Sequence, residues 1–286
     1  MSEKIVLVTG ANSGMGKATA AKLADTGARV VMLCRDKSRG EAAYKEVLDQ
    51  DNSRKVELML CDLGDMSDIR RFTGEFKEKF SRLDILVNNA GVITLDRRET
   101  RDGLELQFGV NHIGHFLLTM RLIDIIPRHA GARIVVVGSG AHKAGRIHFE
   151  DYNLTKGYNV VTAYGQAKLA NLLFTRELAK RLAGTGITVN CAHPGAVATS
   201  MGVDRNNGFG KTITGLLRPF FQTPEQGAGT ALFLALDPSV KEVTGEYFYK
   251  CKKARSSKAS QDEEMAKRLF ELSEKITGEK LRAVAQ

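Results

Sequence analysis

The chain has 286 residues, of which 43% are hydrophobic and 26% are charged, and its formal net charge is +9. These values are typical of a globular protein large enough for one sizeable core, and they exclude a disordered or fibrous chain. No run approaches the roughly 18 apolar residues that a membrane span needs. Since "EKIVLVTG" enters a strand almost at once, we expect no signal peptide and no transmembrane segment, and therefore a cytoplasmic protein.

The basic excess fits an anionic partner such as a nucleotide cofactor, a membrane surface or nucleic acid, and it equally fits a basic solvated surface. The cysteines at Cys34, Cys61, Cys191 and Cys251 form no Cys-x-x-Cys pair, so we interpret them as buried thiols in a reducing compartment. The "HIGH" stretch (112–115) has no carboxylate or cysteine beside its two histidines. We therefore expect no metal site.

Seven short runs rich in β-branched residues predict strands. In chain order they are "KIVLVT" (4–9), "ARVVMLC" (28–34), "KVELMLC" (55–61), "LDILVNN" (83–89), "ARIVVVGS" (132–139), "GITVNCAH" (186–193) and "GEYFY" (245–249). The runs are continuously apolar, which indicates burial on both faces, and amphipathic helical segments separate them. This alternation predicts a single α/β domain over 1–286: a doubly wound, Rossmann-type fold with a mainly parallel seven-stranded sheet and helices on both faces.

Two regions interrupt the alternation. The first is predicted as an apolar substrate lid at about 203–224, with side chains at Phe209, Ile213, Leu216, Leu217, Phe220 and Phe221. Lys211 and Arg218 within it suggest peripheral contact with a membrane surface or a partner, although a loop helix packed on the body explains them equally well. The second is the tail from Cys251, read as a basic Ser-rich turn and then an amphipathic helix at about 261–277. We expect Leu269, Leu272 and Ile276 of this helix to pack on the body.

The stretch "VTGANSGMGKATAAKL" places Gly10, Gly14 and Gly16 between the first strand and the first helix. A glycine-rich turn lets the backbone approach a pyrophosphate, and the helix N-terminus beyond it offers unpaired N–H groups. At the first strand–helix junction of a doubly wound sheet, this pattern predicts dinucleotide binding rather than a merely tight turn.

The end of the second strand bears on which dinucleotide is bound. There, an acidic residue accepts hydrogen bonds from a ribose 2′-OH, whereas an arginine accommodates a 2′-phosphate. Cys34 is followed by Arg35, which favours NADP(H) because guanidinium pairs with phosphate in a bidentate way. Asp36 comes next and keeps NAD(H) open, since a shift of one or two residues would direct its carboxylate at the ribose.

The stretch "TAYGQAKLANLLF" places Tyr164 and Lys168 four residues apart, and such residues are neighbours on a helix. A lysine ammonium at this spacing stabilises a tyrosine phenolate, which a general acid or base requires. Ser139 follows the fifth strand at the carboxyl edge of the sheet, where it could polarise the same substrate oxygen. Taken alone, the Tyr–Lys pair also fits an ordinary half-exposed pair on a helix.

A series of motifs runs through the whole chain: "TGANSGMG" (9–16), "CDL" (61–63), "NNAG" (88–91), "VNHIGHF" (110–116), Ser139, Tyr164-x-x-x-Lys168 and "HPGAVAT" (193–199). In this order the series resembles the short-chain dehydrogenase/reductase family. The stretch "AHKAGRIHFED" and the tail beginning "CKKARSS" are most similar to its retinol dehydrogenase-like branch. The resemblance implies an NADP(H)-dependent oxidoreductase acting on an apolar alcohol, aldehyde or ketone, such as a retinoid.

The resemblance also assigns catalytic roles. Tyr164 would exchange a proton with the substrate oxygen, while Lys168 would stabilise its phenolate and bind the nicotinamide ribose. Ser139 would donate a hydrogen bond to the substrate oxygen, and Asn111 would hold a water in a proton relay behind Lys168.

Cofactor contacts are implied along the same motifs. Asp62 would meet the adenine, Asn88 the adenosine ribose and Thr199 the nicotinamide carboxamide, with Pro194 and Gly195 forming the wall beside the ring. The complete implied set is Gly10, Asn12, Ser13, Gly14, Met15, Gly16, Arg35, Asp62, Leu63, Asn88, Ala90, Gly91, Tyr164, Lys168, Pro194, Gly195, Val197 and Thr199.

Two alternative functions stay open at this point. One is a protochlorophyllide reductase-like enzyme, which shares the Tyr–Lys pair but reduces a ring double bond. The other is a non-catalytic NADP-sensing or nucleic-acid-binding protein, although we expect no nucleic-acid partner. The helices that carry Asn111 and Tyr164 pair between subunits in many family members, so we also expect that a homo-oligomer can form.

Overall fold

A computed structural model of the protein describes residues 3–128, 131–195 and 222–281. It contains all seven predicted strands: β1 (Ile5–Thr9), β2 (Arg29–Cys34), β3 (Val56–Leu60), β4 (Ile85–Asn88), β5 (Arg133–Val137), β6 (Thr188–His193) and β7 (Tyr247–Tyr249). These strands are parallel and lie in the order β3-β2-β1-β4-β5-β6-β7. The strand order reverses between β1 and β4, and ligands bind beyond the carboxyl ends of the strands at such a point.

The sheet also has an eighth strand, so the prediction of seven was wrong by one. Strand β8 (Lys252–Lys253) pairs antiparallel with β7. The two residues between these strands, Lys250 and Cys251, both have left-handed backbone, with φ of 50° and 58°. Positive φ at both positions defines a type I′ hairpin turn, which usually contains Asn or Gly. The Lys-Cys sequence contains neither, so the sequence predicts a turn at the start of the tail but not the strand that follows it.

Eight α-helical segments connect and follow the strands within the described residues. They are α1 (Gly14–Ala24), α2 (Lys37–Gln50), α3 (Met66–Lys79), the single turn α4 (Leu106–Phe108), α5 (Gly114–Leu122), α6 (Val160–Arg181) and α7 (Pro224–Leu236), with α8 (Glu263–Thr277) in the tail as an eighth. A π-helical turn (Gly109–Ile113) joins α4 to α5. Among the described residues, no helix is long and apolar enough to cross a membrane.

Helices cover both faces of the sheet, as predicted. Because side chains alternate across a strand, β1 sends Leu7 to one face and Val8 to the other. Leu7 joins a core shared with α3, α5 and α6, where Phe72 and Phe116 are fully buried. Val8 joins a second core built largely from the small side chains of α1 and α7. The small residues let these two helices lie close to the sheet.

The tail helix α8 packs against the body through one face. Leu269 is buried, as predicted, while Ile276 is partly buried against the same cluster and Leu272 is half-buried. The aromatic side chain of this helix, Phe270, is also buried, and the guanidinium of Arg181 lies over it at 4.0 Å from the ring centroid. The tail helix is thereby fixed to α6. Residues 203–221 of the predicted lid lie outside the described residues.

Candidate active site

The glycine-rich turn after β1 has no room for a side chain at Gly10 or Gly16. Gly10 and Gly14 have φ of 67° and 53°, in the left-handed region that favours glycine. A Cβ on Gly16 would overlap the carbonyl oxygen of Gly10 and would lie 2.5 Å from Nδ2 of Asn89. A Cβ on Gly10 would lie 2.9 Å from Cα of Ala90. Glycine is therefore required for the close approach of α1, the turn and the segment after β4.

The N-terminus of α1 differs from those of the other long capped helices. Side chains cap five of them, at Asp36, Asp65, Asn159, Thr223 and Asp262. At α1 the N-cap residue is Ser13, and within the described residues no side chain makes the capping hydrogen bond. The first N–H groups of a helix need an acceptor, and an anion provides one. This end of α1 is therefore suited to bind a phosphate.

A cleft of about 370 Å³ opens beside this helix end at the carboxyl edge of the sheet. Most of the implied cofactor-contacting residues line it: Gly10, Asn12, Ser13, Gly14, Met15, Gly16, Arg35, Asp62, Leu63, Ala90 and Gly91. The lining also contains polar side chains that the sequence did not single out as cofactor contacts, including Arg39, Asn89, Thr94 and Arg98. A second cleft of about 610 Å³ shares Arg35 and Asp62 with the first and extends it at the adenosine end.

The ambiguity between Arg35 and Asp36 can be examined at this end of the cleft. Oδ1 of Asp36 accepts a hydrogen bond from the backbone N–H of Arg39 at 2.8 Å and so caps α2. Asp36 thus caps the helix with one carboxylate oxygen and also lines the cleft. The same turn brings Arg39 to the cleft wall beside Arg35. On the facing wall, Oδ1 of Asp62 accepts from the N–H of Gly64 at 2.8 Å, which orients this side chain.

The two asparagines of "NNAG" lie on different sides of the backbone. Asn88 is buried, donates from Nδ2 to Thr119 Oγ1 at 3.0 Å, and does not line the cleft. Asn89 does line it, and its Nδ2 donates to the carbonyl oxygen of Thr9 at 2.8 Å. The hydroxyl of Thr9 also accepts from the backbone N–H groups of Asn89 and Ala90. The side chain of Asn88 thus contacts α5, its role beside the adenosine ribose stays a prediction, and Asn89 contributes to the cleft lining.

Asn111 lies in the π-helical turn, a distortion that is frequent at functional sites. Its side chain is fully buried, accepts from the N–H of Val92 at 2.7 Å and donates to the carbonyl of Val92 at 3.0 Å. The amide thus holds the segment after "NNAG". Its role in a proton relay remains a prediction.

His115 extends this network to the glycine-rich turn. Its Nδ1 is 3.1 Å from the carbonyl oxygen of Asn111, and its Nε2 is 2.9 Å from the hydroxyl of Thr9. Burial lowers the pKa of His115 to about 4, so the ring is neutral at pH 7. A neutral ring has one donor and one acceptor nitrogen, which matches these two contacts.

The Tyr–Lys pair lies in the first turns of α6, behind the end of β5. Lys168 is only 2% exposed, and its Nζ donates to the carbonyl of Val137 at 3.0 Å. The same ammonium lies 5.6 Å from the ring centroid of Tyr164, which is half-buried. A buried positive charge at this range stabilises negative charge that develops on the phenol.

Ser139 lies two residues after the end of β5 and caps a 3₁₀ turn (Gly140–Ala144) by accepting from the N–H of Ala141 at 3.2 Å. The residue after this turn, Gly145, lies against α6 beside Gly165. A Cβ on Gly145 would overlap the carbonyl oxygen of Gly165 and would lie 2.7 Å from its carbonyl carbon. Since Gly165 follows Tyr164, this close contact packs the serine turn on the helix that carries the tyrosine.

Gln166 has a structural role that the sequence did not indicate. Its Oε1 accepts from the N–H of His148, and its Nε2 donates to the carbonyl of Tyr152, both at 2.9 Å. The side chain thus holds the loop between the serine turn and α6. Because this loop also flanks Tyr164, the glutamine contributes to the rigidity of the candidate site.

The "HPG" segment begins at the last residue of β6 and does not line the cleft. Gly195 has φ of 86° and donates from its N–H to Nδ1 of His193 at 3.3 Å. Pro194 and Gln222 line a separate cavity of about 260 Å³. The remaining predicted cofactor residues, Val197 and Thr199, lie outside the described residues.

Comparisons with known proteins agree with this geometry. The profile of the family described as short chain dehydrogenase matches residues 4–208. Retinol dehydrogenase 14 of Mus musculus is 43% identical over 296 residues, which cover 97% of this chain and 87% of that protein. Among solved structures, an uncharacterized protein from Mycobacterium Paratuberculosis has a TM-score of 0.79 and 34% identity, covering 98% of this chain and 96% of that one. A blue fluorescent protein from a metagenomic library, solved in complex with NADPH, has a TM-score of 0.67 and 28% identity over 86% of this chain and 95% of that one.

The fold, the side-chain cluster at the sheet edge and these similarities lead to one assignment. The profile match covers most of the chain, and the retinol dehydrogenase aligns with nearly all of it. The protein therefore belongs to the short-chain dehydrogenase/reductase family, in its retinol dehydrogenase-like branch, and is an oxidoreductase that acts on CH–OH groups with a nicotinamide dinucleotide.

Proposed function

We propose that this protein is an NADP(H)-dependent oxidoreductase that transfers a hydride between nicotinamide and an apolar alcohol, aldehyde or ketone. The observation that carries the proposal is the packing of the Ser139 turn on the first turns of α6. This packing lies at the same sheet edge as the uncapped end of α1, so a substrate oxygen and a dinucleotide can be held together there.

The preference for NADP(H) rests on the two arginines near Asp36. Asp36 itself lines the cleft, but Oδ1 of its carboxylate caps α2 by accepting from the N–H of Arg39. Arg35 and Arg39 are then the groups at the cleft wall that suit a 2′-phosphate, whose charge guanidinium binds in a bidentate way. The NADPH complex of the metagenomic neighbour is in line with this choice.

Residues of the protein would transfer the proton to and from the substrate oxygen. When bound, the nicotinamide ring supplies or accepts the hydride. During reduction, Tyr164 donates its phenolic proton to the substrate oxygen, and during oxidation it takes that proton back. The ammonium of Lys168 stabilises the resulting phenolate. Because Oγ of Ser139 already accepts from Ala141, its own hydrogen can donate to the substrate oxygen.

An apolar substrate is supported by the surface beside the cleft. The hydroxyls of Thr94 and Tyr158 are 3.2 Å apart at this surface. Each is followed within three residues by an exposed apolar side chain, Leu95 at 45% and Val161 at 63% exposure. We propose that these side chains receive the apolar part of the substrate. We further propose that residues 203–224 form a lid over the substrate and that the protein is cytoplasmic.

The proposal can be tested by following the oxidation of NADPH and NADH with a panel of apolar aldehydes and ketones. We expect a higher kcat/KM with NADPH, and we expect Arg35→Ala to lower that value about 10- to 100-fold because one charge-assisted phosphate contact is lost. The matched variant Lys37→Ala, one position beyond Asp36, should leave both values near wild type. A preference for NADH would contradict the assignment. Absence of turnover across the panel would favour the double-bond reductase or the non-catalytic alternative.

A further inference from the structure

The serine turn contains a histidine that the reaction itself does not use. His142 is 0% exposed and packs edge-on against Tyr247, with ring centroids 4.9 Å apart. Its Nδ1 lies 2.6 Å from the carbonyl oxygen of Ser139. Its Nε2 lies 3.2 Å from the backbone nitrogen of Ser257, which is 115 residues further along the chain. One imidazole therefore bridges the candidate catalytic serine and the C-terminal tail.

These partners allow only one form of the ring. A carbonyl oxygen can only accept a hydrogen bond, and a backbone N–H can only donate one. Nδ1 of His142 must therefore carry the hydrogen that goes to Ser139, and Nε2 must be bare to accept from Ser257. The other neutral tautomer and the imidazolium would each set two N–H groups against one another at Ser257. Burial also lowers the pKa of His142, which favours the neutral ring.

The tail end of this bridge is held by further hydrogen bonds. Ser260 donates from its hydroxyl to the carbonyl of Ser257 at 2.7 Å, and its N–H donates to the hydroxyl of Ser257 at 3.3 Å. The neighbouring Ser256 accepts from the guanidinium of Arg176 at 3.2 Å. Arg176 lies on α6, the helix that carries Tyr164. The tail segment is thus fixed to the same helix as the proton donor.

We propose that His142 is a positioning residue, which transfers the fixed position of Ser257 to the main chain of Ser139 and so sets where the serine hydroxyl meets the substrate oxygen. This inference rests on the proposed function, since it requires Ser139 to donate to that oxygen. The hydroxyl acts on charge that develops in the transition state. Its displacement therefore lowers kcat and leaves NADPH affinity unchanged.

A matched pair of variants separates the two hydrogen bonds of His142. The amide of His142→Asn can place an N–H near the position of Nδ1 and keep the bond to Ser139. The longer amide of His142→Gln can place an oxygen near the position of Nε2 and keep only the bond to Ser257. Because His142 can position Ser139 only while both hydrogen bonds are present, we expect kcat to fall about tenfold or more in each variant, since misplacement by 1 Å can cost up to 100-fold. The Kd of NADPH should not change in either.

The background variant Ser139→Ala shows whether the effect passes through the serine. If it does, adding His142→Gln to Ser139→Ala lowers kcat no further. An undiminished further loss, or a Gln variant as active as wild type beside an inactive Ser139→Ala, would overturn the role of His142 and leave the proposed function intact. Near-normal turnover of Ser139→Ala would instead contradict the proposed role of the serine, and the inference with it.

A spectroscopic measurement on the wild-type protein avoids any loss of folding in the variants. With ¹⁵N-labelled histidine, the ring nitrogens of His142 should report a protonated Nδ1 and a bare Nε2 at neutral pH, and loss of the signal in His142→Asn assigns it. A ring protonated at Nε2 would overturn the inference.

Discussion

The glycine-rich turn makes a quantitative prediction for Gly16→Ala. The added Cβ would lie 2.5 Å from Nδ2 of Asn89 and 2.8 Å from the carbonyl carbon of Gly10, whereas ordinary contact begins near 3.4 Å. Close-packed backbone cannot absorb this overlap without movement. The N-terminus of α1 must therefore move away from the turn by about 1 Å, the difference between the ordinary and the available distance.

This displacement translates into a loss of affinity. A shift of about 1 Å lengthens an N–H···O bond from about 2.9 Å to about 3.9 Å, beyond hydrogen-bonding range. A hydrogen bond to a charged group contributes about 1.5–3 kcal/mol. Loss of one such bond to a cofactor phosphate raises Kd about 10- to 150-fold. We therefore expect the Kd of NADPH to rise at least about tenfold in Gly16→Ala.

The assay is a titration with NADPH followed by the fluorescence of the reduced nicotinamide, with thermal unfolding measured to show that the variant is folded. Gly74→Ala is the matched control, because a Cβ on this glycine of α3 meets nothing within 4 Å. Its Kd should equal that of wild type, and its stability should rise by up to about 1 kcal/mol because alanine favours helix. A folded Gly16→Ala variant with a Kd within about twofold of wild type would refute the assignment of the turn.

Three further predictions follow from burial. Burial lowers the pKa of His115 to about 4. On acidification, His115 is therefore protonated in the unfolded state at a higher pH than in the folded state. This difference lowers the free energy of unfolding by about 2 kcal/mol at about pH 5 relative to pH 7.5. Urea unfolding at both pH values measures this, and His115→Gln, which does not titrate, should lose less stability on acidification; an equal loss would argue against the buried neutral ring. Of the four cysteines only Cys251 is exposed, so a thiol reagent should titrate one group in the native protein and none in native Cys251→Ser, and rapid reaction of a second thiol would contradict the fold. Phe270→Ala should destabilise the protein by about 3–5 kcal/mol, whereas the exposed Glu271→Ala should change stability by less than about 0.5 kcal/mol; equal unfolding midpoints would show that the tail helix does not contribute to the core.

The strands were predictable because burial on both faces requires continuous apolar runs, and each run proved to be a strand. The errors lie where local sequence gives weak signals. Cys251 is exposed rather than buried because it lies in the left-handed turn before β8. The Lys-Cys sequence does not predict a turn of this type. In the tail helix, Phe270 is buried whereas Leu272 is only half-buried, because the exact rotation of a helix depends on its partner.

In the candidate site, too, some features could be predicted from local sequence and others could not. The spacing of Gly10, Gly14 and Gly16 was sufficient to predict the turn, because only a glycine-rich turn permits such close approach. The contrast between Asn88 and Asn89 was not predictable, since a shift of one residue reverses the direction of a side chain. The role of Asp36 had an unused signal: an aspartate directly before a predicted helix is a standard N-cap.

The hydrogen-bonded bridge from Ser139 through His142 to Ser257 could not be predicted from local sequence. Its two ends are far apart in the chain, and only the docking of the tail on α6 brings them together. The stretches "AHKAGRIHFED" and "CKKARSS" were both noted as family-like, but their contact became visible only in three dimensions.

The central claim is that Tyr164 transfers the proton, and Tyr164→Phe tests it most directly. The substitution removes only the hydroxyl, so the ring can still pack beside Lys168. We predict that kcat with an accepted carbonyl substrate falls at least about 100-fold, the lower range of a general acid's contribution, while the Kd of NADPH stays at the wild-type value. Tyr44→Phe on α2 should retain normal turnover. Near-normal turnover of Tyr164→Phe would contradict the mechanism.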